Sequence, residues 1–143
     1  LARNPDFNGA SQDGAGLYQV TQRRGRRCSA AVAFLRPALS RPNLTVLTGR
    51  HATRVVFEGG RAAGIEVAGR GGTARIAAAR EVILSAGTFG SPQLLLLSGV
   101  GPREELARHG IPLRHELPGV GANLADHIDL CLLYTSDAAG HTT

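Results

Sequence analysis

The stretch "EVILSAGTFGSPQLLLLSGVG", Glu81 to Gly101, decides the reading of this 143-residue chain. Its first part, "EVILS", is an apolar run that does not alternate, as expected of a strand buried on both faces of a parallel sheet. A small-residue turn, Ser85-Ala86-Gly87, follows it. Ser91 then predicts an N-cap and Pro92 the first helical position, where a missing N–H costs nothing; "QLLLL" continues the helix and Gly99 closes it in a left-handed conformation. Such a turn lets another molecule approach the main chain closely, since no large side chain intervenes. The same residues also suit a tight strand-to-helix turn that binds nothing, and from spacing alone the two readings stand level.

The surrounding sequence supplies the rest of a domain. A second short helix is predicted over Pro102–His109, with Glu104 and Glu105 in its first turn and Gly110 after its end. Upstream, "LTVL" (Leu44–Leu47), "TRVVFE" (Thr53–Glu58) and "AAGIEV" (Ala62–Val67) are β-branched or apolar runs, and Gly59-Gly60 is a two-residue hairpin signal. With "TARIAAA" after a further Gly-rich break, they predict an antiparallel β-meander of about three strands. Before Asn43, residues 1–28 read as loop with one extended piece at Leu17–Val20. Ser29 then caps a helix over about Ala30–Leu39, which Pro37 and Pro42 end. The expected fold class is α/β, the second half of a Rossmann-like, doubly wound nucleotide-binding domain with an antiparallel β-meander. In such a sheet a ligand lies outside the carboxyl ends of the strands, which is where Ser85 stands.

Composition narrows the function. Hydrophobic residues make up 43% of the chain, as in an ordinary globular protein. All sixteen basic residues are Arg, against eleven acids, for a net charge of +5. Residues 1–61 hold ten Arg and three acids, and the "RRGRR" run, Arg23–Arg27, is the single basic patch. Aromatic residues are only 4%, so the stacking platforms of single-strand binders are missing; the run reads as a solvated loop, and no nucleic-acid partner is expected. The two cysteines, Cys28 and Cys131, form no CxxC pair and the five His form no metal-like set, so a reduced, cytoplasmic protein without a metal is expected. The longest Leu run, Leu94–Leu97, is far short of the roughly 20 apolar residues that span a bilayer, and no transmembrane segment is expected. A chain without Met that begins Leu1-Ala2-Arg3 reads as a piece of a longer protein.

The run "SAGTFGSPQLLLLSGVG" resembles the second signature of the glucose-methanol-choline (GMC) family of FAD-dependent oxidoreductases. Gly87, Thr88, Ser91, Pro92, Leu94, Leu95, Ser98, Gly99 and Gly101 stand at matching spacing. "GLYQVTQRRGRRCSAAVAFLRPAL" resembles a further family segment, with Cys28 in place of the usual aromatic. "NLTVLTGRHATRVVFEGGRAAGIEV" is similar to the family's strand and hairpin, and "LPGVGANLADH" to its loop leading toward the substrate domain. The resemblance covers about residues 8 to 129 and is strongest to the choline dehydrogenase and alcohol dehydrogenase-like branch.

This resemblance implies FAD as cofactor and a small-molecule alcohol, choline-like or primary, as substrate. The electron acceptor stays open. It implies that Ala52, in the family's "TGxxV" stretch, faces the adenine with its backbone, and that Ser85, Ala86 and Gly87 lie against the ribose and pyrophosphate. Asn123, Asp126 and His127 match the family's "NLxDH" run, where they position a loop; His127 reads as a hydrogen-bonded loop histidine and not as the catalytic base. The family's GxGxxG turn and its catalytic histidine are absent here, so no catalytic residue is assigned. In the intact enzyme, hydride passes from the alcohol to the flavin while a histidine removes the hydroxyl proton. This chain alone is expected to be inactive and to bind FAD weakly. A non-catalytic nucleotide-binding module is the alternative. The layout the resemblance implies is 1–42, a loop and helix segment of the FAD domain or of its border with the substrate domain; 43–127, the central part of the FAD domain, from which a substrate domain would begin; and 128–143, a truncated or foreign tail in which "CLL" could begin the family's next strand and the Ser136-Asp137-Ala138-Ala139-Gly140 stretch matches nothing in the family.

Overall fold

A computed structural model describes residues 1–126 of the chain, so His127 and the tail beginning at Cys131 lie outside the described residues. The chain divides into two compact units, Leu1–Thr48 and Gly49–Thr143.

In the first unit, strands β1 (Gln22–Arg23) and β2 (Arg26–Arg27) form a minimal antiparallel hairpin. Its turn residues Arg24 and Gly25 both have positive φ, 53° and 72°, as a hairpin of this tightness requires. The "RRGRR" run is therefore solvated as expected, and it closes as an exposed hairpin turned at Gly25. The extended piece expected at Leu17–Val20 makes no strand. The amino-terminal loop closes on Asn4, which donates through Nδ2 to the Ser11 carbonyl at 2.8 Å and accepts the Asp6 N–H at 2.9 Å. The helix expected over Ala30–Leu39 is present in two parts, a π-helical turn over Ala31–Leu35 and α1 over Arg36–Ala38. Pro37 lies within it and does not end it. Without an N–H, Pro37 cannot close the ordinary four-residue turn behind it, and the backbone opens there.

The second unit is built on a meander of β3 (Arg50–Glu58), β4 (Arg61–Gly69) and β5 (Gly72–Ala77), in that order and antiparallel throughout. Gly59 and Gly60, at φ 54° and 82°, make the expected hairpin turn. The third strand comes from "TARIA"; Leu44–Leu47 forms none and stands largely exposed, a correction to the sequence reading. Helix α2 (Gly87–Leu97) packs on β3. It is followed by β6 (Val100–Gly101), α3 (Arg103–Arg108) and β7 (His115–Glu116), with β6 and β7 paired in parallel. Val55, Val67, Leu94, Val100, Leu106 and Val120 form the core.

Two further expectations are corrected. Helix α2 begins at Gly87, with Ala86 and not Ser91 as its N-cap residue, and Pro92 lies inside it. The Ser91 hydroxyl does not cap its own turn; it reaches back to accept the Ala86 N–H at 3.0 Å, which holds an earlier start. Glu81–Ser85 is not a strand among the described residues, where the one parallel ladder joins β6 and β7. A parallel strand needs neighbours to bond it, and none of the described strands pairs with 81–85. Ile83 is accordingly 76% exposed. The fold is thus mixed helix and sheet.

Candidate functional site

Three of the four residues expected at the cofactor share one cleft of about 410 Å³ in the second unit. Ala52 of β3, Ser85 and Ala86 line it, together with Gly64 of β4, Ile76 of β5 and Leu94 of α2. Gly87 is next to the lining and not in it. At φ 83° it turns the chain from the cleft wall into α2, and a Cβ there would meet nothing within 4 Å. Glycine is thus required at Gly87 by its backbone angle, and no protein atom crowds it.

The sequence makes each wall of this cleft for a local reason. Glycine is needed at Gly64 of β4, because a Cβ there would lie 2.3 Å from the Ile76 carbonyl oxygen of β5. That residue was not among the expected site residues; the signal for it is a lone glycine within the strand run "AAGIEV". The register of β3 against β4 shifts between Ala52 and Arg54, a bulge with Thr53 as the extra residue. The Thr53 hydroxyl bonds the Glu66 carboxylate at 3.0 Å, and Arg54 pairs with the same carboxylate at 2.8 Å. The Arg54 and Thr53 hydrogen bonds hold the Glu66 carboxyl below the usual carboxylate range. These contacts pin the bulge directly beside Ala52.

The cleft is largely apolar, with Glu81 its single charged side chain among the described residues. Along Glu81–Ser85 the backbone makes no hydrogen bond to another described backbone group. A largely apolar wall, with small residues at Ala52, Gly64, Ser85 and Ala86, suits a flat ring and a sugar-phosphate chain. No described group of His, Cys, Asp and Glu could hold a metal ion. A second cleft, of about 690 Å³, lies between α2 and residues 119–125 and includes Asn123, at the left-handed φ of 57°. Asp126 is exposed, and His127 lies outside the described residues.

The sequence pattern of the GMC oxidoreductase family matches residues 2–129. The chain belongs to that family. The GMC chain is 48% identical over 140 residues to an alcohol dehydrogenase (acceptor) of Pseudomonas putida, covering 96% of this chain and 25% of that protein. It is 51% identical over 124 residues to an oxygen-dependent choline dehydrogenase of Sinorhizobium medicae, covering 87% of this chain and 22% of that one. Among solved structures it is similar to an FAD-dependent oxidoreductase from Chaetomium thermophilum, with a TM-score of 0.56 and 37% identity over 59% of this chain and 15% of that one. The chain thus spans about a quarter of the length of the curated relatives it matches. Among the described residues, no helix is long and apolar enough to cross a membrane.

Proposed function

We infer that this chain is part of an FAD-dependent oxidoreductase that oxidises the CH–OH group of an alcohol, and that the cleft beside Ser85 and Ala86 forms one wall of its FAD site. The observation that carries this reading is the convergence of Ala52, Ser85 and Ala86 on one apolar cleft, within a chain of the GMC family. The main chain at Ala52 supports an adenine edge, and Ser85-Ala86-Gly87 a ribose and pyrophosphate. The backbone of Glu81–Ser85, unpaired among the described residues, is in keeping with a strand of a doubly wound parallel sheet whose neighbours come from other parts of the protein. Bound flavin supplies the hydride acceptor. This chain's own residues bind and orient. Among the described residues Glu81 is the single titratable side chain lining the cleft, and no proton-accepting role is assigned to it. The names of the two curated relatives favour a small alcohol such as choline as substrate.

The test is spectroscopic. FAD titrated into the chain is expected to change its fluorescence with weak, saturable binding. In the longer protein, the flavin band near roughly 450 nm is expected to bleach on anaerobic addition of choline or a primary alcohol. A folded longer protein that is colourless and takes up no added FAD refutes this function.

A further inference from the structure

Ser98 is one of two buried polar side chains among the described residues, at 5% exposure. The other, Asn4, closes a local loop, whereas Ser98 joins residues 43 positions apart. Its Oγ accepts the Val55 N–H at 2.8 Å and donates its own proton to the Leu94 carbonyl. A hydroxyl does both at once because it carries one proton and two lone pairs. Val55 belongs to β3, an edge strand of the meander, and Leu94 to α2.

These anchor points flank the cleft. Leu94 lines it directly, and Val55 follows Ala52 by three residues. Between Ala52 and Val55 lies the bulge at Thr53, where the ladder to β4 is interrupted. A bulge bends its strand, so the ladder alone does not fix the direction of Ala52. Ser98 supplies a second anchor, tying β3 just after the bulge to the helix that the Ser85–Gly87 turn begins. We propose that Ser98 is a positioning residue of the cleft, setting the Ala52 main chain against the Ser85-Ala86 turn and thereby the affinity for cofactor without touching it. The proposal rests on the cleft being the FAD wall.

Three variants of the chain test it: Ser98→Ala, Ser98→Thr, which keeps the hydroxyl, and Leu106→Val, a destabilising control in α3 away from the cleft. Amide exchange at Val55 and FAD affinity by fluorescence titration are read well below the unfolding temperature of every variant. Ser98→Ala is expected to exchange Val55 faster and to weaken FAD about tenfold, the weight of one buried hydrogen bond. Ser98→Thr and Leu106→Val are expected to stay within about twofold of the parent, since neither breaks the bond. Should Ser98→Ala not fold, Ser98→Cys makes the same comparison through a weak thiol acceptor. An equal loss of FAD affinity in the control, or unchanged affinity in Ser98→Ala, overturns the positioning role. No FAD uptake by the parent chain, with Val55 still protected, overturns the positioning role and leaves a strand-to-helix clamp, whereas the cofactor reading falls only if the longer protein takes up no FAD.

Discussion

Gly87 and Gly99 stand at the two ends of α2 with the same backbone angle, φ 83° at each, and opposite surroundings. A Cβ at Gly87 meets nothing within 4 Å; one at Gly99 lies 2.4 Å from the Pro112 carbonyl oxygen and 3.1 Å from Arg114 Cγ. Alanine in the left-handed region costs about 1–2 kcal/mol at either site. The stiffer unfolded chain offsets about 0.4–1 kcal/mol of that. Gly87→Ala is therefore expected to lose about 1 kcal/mol. At Gly99 the new methyl also has to displace backbone that is held in place, since Arg114 N–H donates to the Gly99 carbonyl at 2.8 Å and Leu117 N–H to Gly101 at 3.1 Å. Overpacking of this kind adds about 1–3 kcal/mol, so Gly99→Ala is expected to lose about 3 kcal/mol in all. Urea unfolding of the two variants, followed by far-ultraviolet circular dichroism, measures the difference through the midpoints. Equal losses at the two sites refute the reasoning, because the backbone angle then accounts for the whole cost and the crowding at Gly99 for none of it.

Two other outcomes are expected. Leu106 is 1% exposed in α3, and Leu106→Ala should cost about 2–5 kcal/mol in urea unfolding, as cavity-forming changes do. The Glu66 carboxyl is held low by Arg54 and Thr53, so its contribution is complete above the ordinary glutamate pKa of about 4.3 and is lost as pH falls through its lower folded value. Glu66→Gln should therefore flatten the acid limb of a melting-temperature profile taken between about pH 6 and about pH 3, and an unchanged slope there removes the carboxylate from the account.

Much of the second unit was legible in local chemistry. Gly59-Gly60 dictates a hairpin through its backbone angles, and Pro102, Glu104, Glu105 and Gly110 bound α3 as their positions along a helix demand. The candidate cleft was legible only in part. Ser85 and Ala86 stood out as small residues after an apolar run, and Ala52 came through the family resemblance alone. Gly64 was passed over because its role is a close approach to Ile76, which lies twelve residues further on in another strand.

The failures share one physical cause. Leu44–Leu47 and Glu81–Ser85 have strand-like composition, but a strand exists only where another backbone bonds it, and composition does not say which neighbours are present. Ser91 has the right side chain for an N-cap; the hydrogen bond it makes is to Ala86, and that choice depends on how the turn folds back. The sequence by itself determined the turns, the meander, the bounds of α3 and the GMC family, because these rest on residues adjacent in the chain. Only the tertiary structure decided that Ala52 meets Ser85 and Ala86 across one cleft and that Ser98 joins β3 to α2. Those contacts span more than thirty residues, and their geometry follows from packing, which no local pattern encodes.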